Sequence, residues 1–159
     1  MGLKIKNTLT KGFQKYFKIA GVTNKEPEGA NLKAQVAVGL QLLNWIVNGS
    51  AKESVVPPIK DGILRGSGSV FVGDKFFGDT KGFYGQGNPN KSYSGRPNTV
   101  TVGFNTAYAA RMHEGTWTPG PTSAQSGNVG NKFIEQHLKA DGKDLMEVYA
   151  KVFKGATGG

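Results

Sequence analysis

The chain contains no cysteine. Disulfides and thiolate metal sites are therefore excluded, and a reducing compartment is allowed without being demonstrated. Long apolar runs are missing too. The most apolar stretch, 34–47, is interrupted by Gln35, Gln41 and Asn44, and is too short and too polar to span a bilayer. Lys4 and Lys6 are followed by no apolar run, so no secretory signal is legible. Met1-Gly2 fails the myristoylation pattern because Lys6 stands where Ser or Thr is required. Acids are scarce, 11 against 20 Lys and Arg, and only 2 histidines occur. Metal chemistry and paired-carboxylate chemistry thus have little material to draw on.

Glycine is abundant instead, at 24 of 159 residues, roughly twice the usual share. With 16 aromatics and many aliphatics beside it, this composition points to long loops and tight turns in one modest-cored domain, 1–159, rather than to general disorder. The net charge of +9 is unevenly placed: residues 1–25 hold 6 lysines and no acid. Such a segment is attracted to polyanions.

Periodicity organises the chain. At about 100° per residue, Ile5, Leu9, Phe13, Tyr16, Phe17 and Ile19 gather on one side of a helix over 3–20, and Lys4, Lys11, Lys15 and Lys18 on the other. That lysine face is either simply solvated or turned toward DNA or an acidic partner. Gly21–Gly29 reads as a loop. Residues 30–48 form a second helix whose polar positions cluster on one narrow side, the mark of a largely buried core helix. Pro57-Pro58 favours extended chain and Asp61-Gly62 a turn. Val70-Phe71-Val72 starts a strand, and "TVTVGF" (99–104) alternates cleanly as another. Between them, 73–98 is rich in Gly, Asn, Lys and aromatics. Beyond a strand continuation at Phe76-Phe77 it reads as a long loop or arm, with Phe83, Tyr84 and Tyr93 arguing against a mere linker. Residues 106–114 form a short helix, 115–130 a loop without periodicity, and 131–154 a C-terminal helix that stays in phase across Asp141-Gly142.

The motifs that resemble catalytic ones fail on spacing. His113-Glu114 is how many zinc hydrolases begin, but a second His is needed one turn later. Trp117 stands there, after Gly115 has ended the helix, and His137 lies on another helix with no expected acidic partner at ligand spacing. Ser67 in "RGSGS" sits in a turn entering a strand, not in a nucleophile elbow. The glycines of 62–73 precede a strand and "GQGNPN" lacks the Lys-Ser/Thr of a P-loop, so neither offers a helix N-terminus to phosphate. No helix-turn-helix, zinc-finger or RNP pattern is legible. A nucleic-acid contact would run through lysines and stacked aromatics, without sequence readout.

A set of motifs recurs in order. A largely apolar helix runs into "VVPPIKDGILRGSGSV"; "VTVGFNTAYAARMHEGT" follows; "GNKFIEQHL" opens the last helix. Together they resemble the tailed-bacteriophage minor capsid, neck and tail-completion proteins of the head–tail junction. The matching positions are Pro58, Gly62, Leu64, Arg65 and Ser67; then Tyr108, Ala109, His113, Glu114 and Gly115; then Lys132, Phe133 and Leu138. Asp61 replaces the usual Thr. The likeness spans about residues 30–140, and the long 73–98 insert and basic first helix depart from shorter members.

The resemblance implies an α+β fold: a small, mostly antiparallel sheet packed with an N-terminal helix pair and a C-terminal helix, the Gly-rich loop inserted in the sheet. It implies a homo-oligomeric ring, six- or twelve-fold, in the virion, assembled in the bacterial host cytoplasm. Its partners are portal-side connector and tail proteins, and genomic DNA passes through a central channel. No catalysis, cofactor, metal or membrane contact is implied. The expectation for "AYAARMHEGT" is a packing and subunit-contact element, with Arg65 pairing Glu114 within or between subunits, and with Phe83, Tyr84 and Tyr93 on an inter-subunit arm. The competing reading is a basic module that binds nucleic acid non-specifically.

Overall fold

A computed structural model describes residues 28–59, 62–125 and 128–158. The basic segment, with Lys4, Lys11, Lys15 and Lys18, lies outside the described residues.

Helix α1 spans Glu28–Asn48, starting slightly earlier than the sequence pattern suggests. Ala30, Ala34, Val38, Leu42 and Ile46 form a buried stripe along it, and Leu43 and Val47 widen that stripe, so most of its circumference is covered as its composition requires. A 3₁₀ turn (Arg65–Ser67) leads into β1 (Gly68–Val72), which pairs antiparallel with β2 (Lys75–Asp79) and β3 (Val100–Phe104). The sheet order is β2-β1-β3. β1 is buried along its whole length, as a central strand covered on both faces. β3 alternates buried and half-buried residues, the period-2 pattern read from "TVTVGF".

Short helices α2 (Lys81–Tyr84), α3 (Ala109–Glu114) and α4 (Pro121–Gln125) precede the long α5 (Phe133–Ala156). On α5 the residues Phe133, His137, Asp141, Leu145 and Tyr149 recur every fourth position and are all buried. This stripe packs along α1, antiparallel: the Tyr149 hydroxyl donates to Asn31 Oδ1 (2.8 Å) near one end and Ser50 meets Asp141 near the other. Val70, Val102 and Phe104 of the sheet join the same hydrophobic cluster as α1 and α5.

Two loops are more ordered than their sequence suggests. The 73–98 insert is not a free arm. Phe76 and Phe77 complete a hairpin through β2, Thr80 is buried, and the irregular part shrinks to 85–98. Phe71 packs against both Phe76 and Tyr93 (centroids 5.8 and 5.3 Å), so the loop folds back over the sheet. Glycine makes this possible, because a Cβ on Gly66 would sit 1.8 Å from the Gln86 carbonyl oxygen. Residues 115–130 include α4 and are stitched to the Pro57 segment: Ser123 Oγ accepts from Ile59 N–H and donates to Ile59 O, and Val56 bridges Val129 in parallel.

Gly66→Ala should therefore lower the free energy of unfolding by about 1–3 kcal/mol, as overpacking does. Gly29→Ala, with no atom within 4 Å of the new methyl, should be neutral or stabilise by up to ~1 kcal/mol. Urea denaturation of the two variants beside the wild type checks both.

Candidate functional site

The residues singled out by the resemblance come together. Gly62 takes a left-handed φ of 77°, and its carbonyl accepts from Gly66 N–H at 2.8 Å. The turn so formed buries Leu64, Arg65 and Ser67. Ser67 Oγ donates to Leu64 O (2.8 Å) and accepts from Asn105 N–H (3.2 Å), tying the turn to the end of β3. Arg65 Nε donates to Pro57 O at 2.8 Å, and its own carbonyl accepts from Thr80 Oγ1. Pro57 is buried and Pro58 half-buried, so the neighbour of the expected motif proline supplies the acceptor. Burial disfavours the charged guanidinium, and the Tyr84 hydroxyl beside it partly offsets that cost.

The predicted Arg65–Glu114 pair does not form within the chain. Arg65 is committed to the Pro57 carbonyl beneath the turn. Glu114 instead accepts from Lys132 Nζ through Oε2 and faces His113 Nδ1 through Oε1 at 2.7 Å. Lys132 Nζ draws the Glu114 carboxyl below its ordinary range, and His113 adds to this.

α3 ends at Glu114, and the N–H of Gly115 closes onto Arg111 O. His113 is 1% exposed, with its ring edge-on to Phe133 (centroids 4.9 Å, 86°). Phe133 packs edge-on to Phe104 as well (5.7 Å, 86°). Lys132 holds φ at 53°, donating its backbone N–H to His113 O at 2.7 Å. A non-glycine residue in that region carries strain, which these two bonds from Lys132 to the end of α3 offset. Tyr108 stands at the N-cap of α3, 40% exposed, while Ala109 is fully buried.

The His113 ring is held from one side only. Its Nδ1 proton goes to Glu114, and Nε2 is buried with no hydrogen-bond partner, walled off from solvent. Burial lowers its pKa, against the opposing pull of Glu114. No group of three or more His, Asp or Glu suited to a metal occurs among the described residues.

The second histidine corrects an expectation. His137 does have an acidic partner: Asp141, one turn further along α5, with Nδ1 to Oδ2 at 2.7 Å. Nε2 reaches Val55 O at 2.7 Å, and Ser50 Oγ donates to Asp141 Oδ1 at 2.7 Å. The sequence signal was the i, i+4 spacing, which places both side chains on one helix face. Although Ser, Asp and His meet here, the order is wrong for nucleophilic catalysis. The hydroxyl bonds the carboxylate rather than the imidazole, and the Nε2 proton is spent on a carbonyl. With His137 and Asp141 at 0% and 1% exposure, the array is a buried clasp between α5 and the 50–55 segment.

Of the expected arm residues, Tyr84 reaches Asn48 Oδ1 through its hydroxyl (3.1 Å) and Tyr93 lies on Phe71. Phe83 alone of these stands out, 83% exposed. No helix of the described residues is long and apolar enough to cross a membrane. Comparison with family models, curated proteins and solved structures finds no match.

Asp141→Ala strips both the His137 ring nitrogen and the Ser50 hydroxyl of their partner and should destabilise more than Ser50→Ala, which removes one bond to Asp141 and should cost about 1–3 kcal/mol. Calorimetry of the two variants gives the ranking. The pH dependence has a defined sign. Burial holds the His113 pKa in the fold below its ordinary value, whereas the unfolded chain takes up a proton below about pH 6.5. The His113 contribution is complete above that pH and declines as pH falls through it. The Glu114 contribution is lost only lower, below the ordinary carboxylate range. Denaturation midpoints between pH 7 and 5 should therefore fall less steeply in His113→Leu than in the wild type.

Proposed function

We propose that this protein is a structural component of a tailed-phage virion, forming a homo-oligomeric ring at the head–tail junction with a central passage for DNA. One observation carries the reading: the separated motifs behind the resemblance converge on a single structural knot around Phe133. The Gly62–Ser67 turn is bonded to the end of β3, β3 delivers Phe104, α3 delivers His113, and Lys132 locks α3 to the start of α5. The reading includes no catalytic role, cofactor or metal, since Arg65, Ser67 and Lys132 bond within the knot.

In a closed ring, identical chains meet through different surfaces. Six or twelve copies follow from the resemblance, with portal-side connector and tail proteins above and below. The lysines of residues 1–25 suit a channel that passes DNA or an acidic neighbouring ring. The part of Glu114 left in solvent, 52% of its side chain, remains available at a subunit contact.

Light scattering followed by negative-stain imaging tests this, on the protein alone and mixed with phage connectors or tails. Closed rings, or a monomer that assembles onto those structures, are the expected result. A monomer that never assembles yet binds DNA with a steep salt dependence would overturn it in favour of the nucleic-acid module. Glu114→Ala should raise the concentration needed for assembly by about tenfold, or ~1.4 kcal/mol; unchanged assembly would remove Glu114 from the contact.

A further inference from the structure

Among the described residues of α1, the buried side chains are apolar except that of Gln35, which is 2% exposed. Its carboxamide bonds to no other described residue, and neither of its amide atoms is sealed off. The small part of Gln35 left open is therefore its amide. Burying an amide without a partner is costly, and an aliphatic side chain would fill the position without that cost.

The amide opens into a cleft of about 260 Å³, lined by Gln35 and Asn31 of α1, Gly73 of the β1–β2 turn and Asn98 ahead of β3. The walls are fixed before anything enters. The Tyr149 hydroxyl donates to Asn31 Oδ1 at 2.8 Å, and Asn31 Nδ2 donates to Asn98 Oδ1 at 3.4 Å. Gly73 N–H donates to Thr99 O at 2.9 Å. A Cβ on Gly95 would strike Gly73 O, so the turn and the loop are in close contact. Walls that are already ordered spare a ligand the cost of ordering them.

The chemistry of the lining selects the occupant. Asp74 and Lys75 stand exposed at the rim with opposite charges, so the cleft favours neither a cation nor an anion. The Gln35 amide offers a donor and an acceptor side by side. A carboxylate or phosphate only accepts and an ammonium only donates, and each would leave half of the amide unpaired. A nucleobase edge has both groups, but no aromatic side chain among the described residues lines the cleft to stack it. A peptide group also has both, and Leu32, Val72 and Pro97 supply apolar surface for the carbons that flank it. The volume lies below the ~300–1,000 Å³ of drug-sized ligand sites, which limits the occupant to a short piece of chain.

We propose that this cleft binds an uncharged peptide segment, Gln35 donating from Nε2 to a main-chain carbonyl and accepting at Oε1 from a main-chain N–H. The site is independent of the ring reading and stands or falls without it.

Nuclear magnetic resonance on the isotope-labelled full chain tests this, with N-acetylalanine N-methylamide as the probe. Saturable shifts are expected at the Gln35 side-chain amide and at the backbone amides of Gly73 and Asn98. Sodium acetate and methylammonium chloride at the same concentration should give none. Gln35→Met matches the side chain in length and lacks its donor and acceptor. It should weaken the affinity read at Gly73 and Asn98 at least ~10-fold, yet melt at or above the wild-type temperature because it removes an unpaired amide. No saturable shift in the wild type, equal shifts with either ion, or an unchanged affinity in Gln35→Met would each overturn the site. A clear fall in the melting temperature of Gln35→Met would overturn it too, by making Gln35 a structural group held through water.

Discussion

The fold depends on the burial of one aromatic ring. Phe133, fully inaccessible, presents its faces and edge to Phe104 from β3 and His113 from α3. A buried aromatic removes a large apolar area from water, and edge-to-face pairs add to that. Because β3, α3 and α5 are all fastened at this point, the sheet, the short helix and the long helix cannot shift independently. Its neighbour Lys132 accepts a left-handed backbone so that its amide reaches His113 O and its ammonium reaches Glu114. Local strain is tolerated there because tertiary bonds over-determine the position.

A second constraint lies one to two turns further along α5. His137, Asp141 and Ser50 place polar groups in the middle of an otherwise apolar stripe. Such groups are costly to bury unless each is partnered. Here the imidazole spans a carboxylate and a backbone carbonyl, and the carboxylate takes the serine. The arrangement fixes the register of α5 against α1 more narrowly than apolar side chains would, since a one-turn slip would orphan all of them. The same logic holds at the Gly62–Ser67 turn, where Arg65 Nε and Ser67 Oγ donate to the Pro57 and Leu64 carbonyls. Polar residues that look like chemistry in a linear reading work as clasps in three dimensions.

The interior and the surface divide accordingly among the described residues. Arg65, Ser67, His113 and His137 are buried, whereas Phe83 and about half of the Glu114 side chain stay in solvent.

Local pattern alone determined a good deal. The apolar arc of 30–48, the alternation of 99–104 and the in-phase stripe of 131–154 are each dictated by side-chain periodicity, and all three elements form within a residue or two of their expected ends. The α+β class was implied by the resemblance, and the three-stranded antiparallel sheet packed with the helices bears it out. Tertiary structure alone decided where the polar side chains point. Arg65 and Glu114 are compatible charges in sequence, but the buried turn carries Arg65 to the Pro57 carbonyl while Lys132 captures Glu114. His137 and Asp141 share a helix face that only α1 and the 50–55 segment make into a buried clasp. Residues 73–98 and 115–130 look unstructured because their order comes from distant partners: Phe71 for Tyr93, Ile59 for Ser123, the Gln86 carbonyl against Gly66. Periodicity reports one element's relation to a single interface, and it carries no information about contacts that join loops far apart in the chain.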